Sequence, residues 1–153
     1  MATCSFIRER KQSIGAMNSV LQYVTQEQKI TDENGVRYLT GVNCAADLAF
    51  QSFMATKNLY GQAKGVFFYQ YVQSFSPEEQ ITPAEAHQIA LELTERFFPG
   101  CEVLVATHVD AAHIHSHFVV NSVGPDTGKS FTSPPELWRQ CGRLVIKFVR
   151  SMG

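Results

Sequence analysis

The sequence predicts an α+β domain, a central antiparallel β-sheet with helices packed on it. Three observations carry that prediction. Val103-Leu104-Val105 and Phe118-Val119-Val120 are apolar runs rich in β-branched residues, close enough along the chain to be the arms of a hairpin. Val66 to Phe75, VFFYQYVQSF, is a third such run, dense in aromatic residues. Between the strand-like runs lie stretches whose apolar residues recur every three or four positions, the signature of amphipathic helices. The order reads strand, helix, strand, helix, strand, helix, hairpin, helix. Helices packed on one face of an antiparallel sheet satisfy it.

Thr3 to Ile7 is the first strand. Ser13 is placed as an N-cap for the helix that follows, IGAMNSVLQYVTQEQ, in which Ile14, Met17, Leu21 and Val24 form the buried stripe. At 3.6 residues per turn, Tyr23 falls about 110° from the centre of that stripe. Its phenol is therefore expected at the reachable edge of the helix. Asp32-Glu33-Asn34-Gly35 signals a turn, Val36 to Val42 a strand, and Cys44 to Leu59 a helix burying Ala46, Ala49, Phe50, Phe53 and Met54. In the strand Val66 to Phe75, Phe68, Gln70, Val72 and Ser74 share one face, and Tyr69, Tyr71 and Gln73 the other. Thr82-Pro83-Ala84-Glu85 opens a helix with an N-cap, a proline at the first helical position and a glutamate closing a capping box. Ala86, Ile89, Ala90, Leu93 and Phe97 supply its stripe, Pro99-Gly100 ends it, and His87 falls off the stripe as a surface histidine. Gly124 to Lys129 is a turn, and Ser133-Pro134-Pro135-Glu136 opens a last helix through Leu137, Leu144, Val145 and Phe148.

The chemistry concentrates in CEVLVATHVDAAHIHSHFVVNSV, residues 101–123, which holds four of the five histidines. Strand alternation puts His113, His115 and His117 on one face with Val119 and Asn121. If Ala111-Ala112 turns the chain, residues whose numbers sum to 223 face each other, so His108 opposes His115 and Asp110 opposes His113. Opposed residues have Cβ atoms about 4.5–5.5 Å apart, and diagonal neighbours remain in reach. His108, His115 and one diagonal neighbour can converge on a point. All three stripe histidines cannot, because His113 and His117 are about 13 Å apart at roughly 3.3 Å per residue. Three imidazoles around an open position suit a divalent metal that polarises a substrate oxygen.

HVDAAHIHSHFVVNSV resembles the histidine motif of plasmid and transposon relaxases, mobilization nucleases of the HUH endonuclease superfamily, with the pattern H-x-D-x-x-H-x-H-x-H and a β-run ending in Asn. His108, Asp110, His113, His115, His117 and Asn121 fill it. The resemblance implies a metal triad of His108, His115 and His117, with His113 and Asn121 as supporting groups and Asp110 orienting a ligand or serving as a catalytic base. GAMNSVLQYVTQEQKI is similar to the family's tyrosine motif, A-x-x-Y-x-x-x-x-x-K, which makes Tyr23 the nucleophile. QSFSPEEQITPAEA is similar to the second motif, whose serine, here Ser74, helps place the DNA. The implied fold is relaxase-like and the implied cofactor a divalent metal, Mg²⁺ or Mn²⁺ in cells. All-nitrogen ligation suits Zn²⁺, Ni²⁺ or Co²⁺ better. The implied reaction is strand-specific nicking of single-stranded DNA at an origin of transfer, through a 5′-phosphotyrosyl link, during conjugative mobilization of a plasmid or an integrative conjugative element. Accessory DNA-binding and coupling proteins are the implied partners.

Composition sets the frame around that reading. The chain has 153 residues, 44% hydrophobic and 18% charged, and is expected to form a single nuclease domain, 1–153, cut short at its C-terminus relative to the family. No run is long enough to span a membrane, and MATCSFIRERK reverses the order of a secretory signal. Four cysteines at positions 4, 44, 101 and 141 form no C-x-x-C pair, so no disulfide framework is expected and a bacterial cytoplasm is the expected compartment. A net charge of −1 does not by itself favour nucleic acid. Arg8, Arg10 and Lys11 near one end, and Lys129, Arg139, Arg143, Lys147 and Arg150 near the other, are the candidate DNA-facing stripe. Tyr69, Tyr71 and Phe131 are candidate stacking platforms for bases. The same triad also serves replication-initiator nucleases and other metal phosphoesterases, and an inactive DNA-binding fragment would share the fold.

Overall fold

The computed structural model describes residues 2–131, 138 and 140–152. Its frame is a five-stranded sheet: β1 (Thr3–Ile7), β2 (Leu39–Val42), β3 (Phe68–Ser74), β4 (Val103–His108) and β5 (His115–Asn121). The strands run in the order β1-β3-β5-β4-β2 and every neighbouring pair is antiparallel. The helices are α1 (Ile14–Val24), the single turn α2 (Glu27–Ile30), α3 (Ala49–Leu59) with a 3₁₀ turn before it, α4 (Pro83–Phe97) and α5 (Cys141–Met152). The sequence-based start of α5 at Ser133–Glu136, along with Leu137 and Arg139, lies outside the described residues.

The register decides which side chains meet. Val103 pairs with Val120, Val105 with Phe118, Ala106 with His117, and His108 with His115. The pairing rule read from the sequence therefore holds along the ladder, and with it the face assignments. Phe68, Leu104, Ala106 and Val119 enter one core with Met17, Leu21 and Val24 of α1, Ile30 of α2, and Ala49 and Phe53 of α3. Tyr71, Val103, Val105, Phe118 and Val120 enter a second core with Ala86, Ile89, Ala90 and Leu93 of α4 and Cys141 and Val145 of α5. Helices thus cover both faces of the sheet, not one. The histidine-bearing face is itself core along most of its length, and only its end carries the imidazoles.

Local sequence explains the starts of the helices. Ser13 caps α1, its Oγ accepting from the Ala16 N–H at 3.0 Å. Thr82 and Glu85 close the full capping box on α4, with Pro83 as the first helical residue. The predicted first helix is split: it stops at Val24, and the chain turns once before α2. The sharpest departure concerns cysteine. β1 and α5 bring Cys4 and Cys141 to a Cα separation of 6.0 Å, and their sulfurs are bonded, 137 residues apart in sequence. Wide spacing argues against any disulfide; the fold closes the distance because β1 is an edge strand directly beneath α5. Cys44 and Cys101 remain free.

Candidate active site

The site is built where β4 ends and β5 begins. His108 closes β4, and His115 and His117 open β5 two residues apart on one face. Ring centroids stand 5.0 Å apart for His108 and His115, 4.4 Å for His108 and His117, and 5.1 Å for His115 and His117. One ring nitrogen from each lies within 4.8 Å of the other two. Tetrahedral ligation at about 2.0–2.1 Å needs nitrogens roughly 3.4 Å apart, so a bound ion would draw the rings slightly inward.

Protonation favours ligation as well. Burial lowers the pKa of all three imidazoles. His117 is pushed down to about 3 by burial first and then by His108, His115 and Lys29. Neutral rings at physiological pH present the lone pairs a metal requires. The hydrogen bonds of the rings choose which nitrogen is free. His108 donates from Nε2 to the Val24 carbonyl at 2.9 Å, which leaves Nδ1 toward its partners. The Nδ1 of His117 meets the side-chain amide of Gln70 at 3.0 Å, leaving Nε2 free. A ligating His117 carries its proton on Nδ1, so Gln70 would then present its oxygen. Gln70 is buried at the middle of β3; strand alternation puts it on the right face, but nothing in the sequence points to its role.

The donor set therefore fits a divalent metal: three neutral imidazoles, each with one ring nitrogen in a hydrogen bond, grouped at the rim of a core. The other expected residues divide clearly. Tyr23, on the last turn of α1, is half exposed, with its ring centroid 6.3 Å from that of His108. Because Tyr23 directly precedes Val24, the same carbonyl bond that orients His108 also fastens the tyrosine's end of the helix to the histidines. Ser74 pairs with His115 across β3 and β5, so it borders the site. Asp110 lies in the loop after β4 and meets Lys29 at 3.6 Å. His113 is in that loop too, exposed and off the ladder, its ring 5.7 Å from that of His115; the strand face expected for it does not form. Arg8, Arg10 and Lys11 lie in the β1–α1 connection, and all three are exposed.

Asn121 is elsewhere. It ends β5 four residues beyond His117, and its amide donates to the Phe53 carbonyl and to Glu102 while its oxygen accepts from Lys57. Lys57 is fully buried, and also donates to the Phe67 carbonyl at 2.7 Å and to Ser122 at 2.9 Å. Burial lowers its pKa to about 8, with Glu102 acting in the opposite sense. Nothing in the sequence signals this cluster, because Lys57 follows the apolar stripe of α3 like an ordinary surface lysine. Two surface expectations also fall on the wrong side. Tyr71 is buried, and Tyr69 and Phe131 stack edge-to-face at 5.8 Å in the face opposite the histidines. Arg143, Lys147 and Arg150 ride on α5, over that same opposite face, and so do not extend a basic stripe to the triad.

Comparison with known proteins identifies the family. Residues 23–152 match the model of the family described as relaxase, MobA/VirD2-like, nuclease domain, a match that opens on Tyr23. A protein named rlx from Staphylococcus aureus is 37% identical over 120 residues, 78% of this chain and 36% of the relative. A second rlx protein from that organism is 40% identical over 97 residues, 63% of this chain and 30% of the relative. The group II intron-interrupted relaxase LtrB of Lactococcus lactis subsp. cremoris is 33% identical over 108 residues, 54% of this chain and 19% of the relative. The chain spans about a third of the length of the rlx proteins it matches. A family match over most of the chain, joined to three grouped imidazoles with a tyrosine beside them, places this protein in the MobA/VirD2-like relaxase nuclease-domain family.

Proposed function

We propose that the chain is the nuclease domain of a DNA relaxase, nicking one strand of single-stranded DNA at an origin of transfer by tyrosine transesterification. The observation that supports this most is the convergence of His108, His115 and His117 beside the exposed phenol of Tyr23. His108, His115 and His117 would hold a divalent ion, which when bound withdraws charge from the non-bridging oxygens of the scissile phosphate. Tyr23 is the nucleophile. Its oxygen forms a bond to phosphorus as the bond from phosphorus to the 3′-oxygen breaks. The phenol proton leaves to a nearby base, and the 3′-oxygen takes up a proton to become a hydroxyl. Asp110 is assigned to accept and return that proton. One phosphodiester is exchanged for another, so rejoining needs no outside energy.

Ser74, at the rim beside His115, and Arg8, Arg10 and Lys11 are assigned to the DNA backbone. His113 is assigned to orienting His115, to whose Nδ1 its carbonyl lies at 3.5 Å. Work as a single cytoplasmic domain alongside accessory and coupling proteins belongs to the same reading. No helix among the described residues is long and apolar enough to cross a membrane.

The test uses the full chain with Mn²⁺ and single-stranded oligonucleotides tiled across the DNA flanking its own gene. The expected result is a metal-dependent covalent adduct on a denaturing gel, mapped to Tyr23 by mass spectrometry and absent in Tyr23→Phe. Nicking by Tyr23→Phe at the wild-type rate would show that water or another residue is the nucleophile.

A further inference from the structure

α2 is a single turn, yet it is firmly fixed. Ile30 is fully buried, the Tyr38 N–H donates to the Ile30 carbonyl at 2.8 Å, and the Val109 N–H donates to the Lys29 carbonyl at 2.7 Å. That last bond ties Lys29 to the residue directly after His108. The Lys29 side chain is consequently held, with only 20% of its surface exposed. Its ammonium lies 4.9 Å from the centre of the Tyr23 ring and 3.6 Å from the Asp110 carboxylate. Its charge reaches His108, His115 and His117 alike.

This placement works against the site taken alone. A fixed cation there repels a divalent ion held by the imidazoles, a repulsion that the Asp110 carboxylate, about a third exposed, counters near His108 and His115 but not at His117. A cation next to a dication is favourable when an anion bridges the two. A phosphodiester has two non-bridging oxygens and can do so. We propose that Lys29 is a catalytic residue that binds a non-bridging oxygen of the scissile phosphate on the side away from the histidines, completing a two-cation clamp against which Tyr23 attacks. The clamp rests on the reading of Tyr23 and the triad as a phosphodiester-cleaving site. An ammonium serves here as a compact point charge with several donors, a common way to hold phosphate. The plain alternative is an ion pair with Asp110, which at this exposure contributes little.

Lys29→Gln and Lys29→Arg separate the two. Three quantities are read on the full chain: manganese affinity by calorimetry, binding of dimethyl phosphate to the manganese-loaded protein by phosphorus NMR relaxation, and the single-turnover rate of adduct formation. In Lys29→Gln, manganese affinity is expected to hold or rise, dimethyl phosphate to bind about tenfold more weakly, and adduct formation to slow about a hundredfold. Lys29→Arg is expected to recover most of both losses. If Lys29→Gln fails to fold, Lys29→Met keeps the stem over the Tyr23 ring and removes the charge, giving the same comparison. Dimethyl phosphate bound as tightly as by the wild type overturns the proposal. So does a loss of manganese affinity matching the loss of rate, which makes Lys29 a support for the histidines. If the wild type forms no adduct with any tiled oligonucleotide, the nicking reading falls, and the dimethyl phosphate arm still decides Lys29.

Discussion

His87 shows how much a single residue can hide from periodicity. Off the apolar stripe of α4, it reads as a surface histidine. In the structure its ring bridges two threonines at 2.8 Å, Thr40 through Nε2 and Thr107 through Nδ1, and Thr107 continues to Ser116 at 2.8 Å. Thr107 adjoins His108, and Ser116 lies between His115 and His117. This polar chain therefore clasps the two histidine-bearing strands from behind, with the Tyr38 ring 6.0 Å from His87 at its outer end. Burial lowers the His87 pKa to about 4 from 6.5. The folded state then refuses a proton that the unfolded chain accepts between those values. Stability from this residue is complete above pH 6.5 and drains away as pH falls toward 4. Each tenfold difference in proton affinity between the two states is about 1.4 kcal/mol, so the effect is about 3 kcal/mol. Urea unfolding of metal-free protein at neutral pH and at the lower value measures it. His87→Gln is expected to lose about 3 kcal/mol less than the wild type on acidification. Parallel losses would show that His87 is protonated within the fold.

At the scale of elements, the hairpin was legible because two constraints agreed. Strand alternation fixed which histidines share a face, and the pairing rule fixed which oppose each other, so His108 and His115 followed from residue spacing alone. The choice of His117 over His113 needed the family resemblance. The structure supplies its physical reason: β5 begins only at His115, and residues 109–114 form a loop that cannot keep His113 on the face. The capping box of α4 was equally open to reading, since it is local chemistry. Contacts between elements were not. Gly41 in β2 shows why. A Cβ there would overlap the Cys44 carbonyl and the Ala46 backbone N–H, because the turn into α3 folds directly over β2. Nothing in the sequence marks Gly41 as different from Gly15, whose Cβ would meet only Ser13 Oγ at 4.0 Å. Gly41→Ala is expected to cost about 1–3 kcal/mol in chemical denaturation, since backbone cannot yield cheaply. Gly15→Ala, in the first turn of α1, is expected to gain about 0.5–1 kcal/mol. A neutral Gly41→Ala would mean that the turn stands off from β2.

Across the whole molecule, the sheet carries helices on both faces, and the candidate site lies at one end of one face. The sequence could not announce this, because an alternating strand with apolar residues on both sides reads the same whether one or two layers cover it. Val119 and Leu104 sit on the histidine face and still belong to a core. The division has a consequence for what joins the two layers. α1, α2 and α3 pack on the histidine face, α4 and α5 on the other, and α5 is joined covalently to the edge strand through Cys4 and Cys141. Closing a loop with a sequence separation of 137 restricts the unfolded chain strongly, by about 2–5 kcal/mol on loop-entropy grounds. A reducing compartment would hold the same pair as thiols. Protein purified in air, then denatured and alkylated without reductant, is expected to show two reactive thiols, Cys44 and Cys101, and all four after reduction. Cys4→Ser is expected to lower the urea midpoint to that of the reduced wild type and to respond no further to reductant. Because α5 lies behind the sheet, Tyr23 and the triad should keep their geometry when the bond is cut. Adduct formation below the unfolding transition should therefore be the same in Cys4→Ser and wild type. A large loss of activity without unfolding would mean that the far layer sets the position of the histidines, contrary to the separation of the two cores.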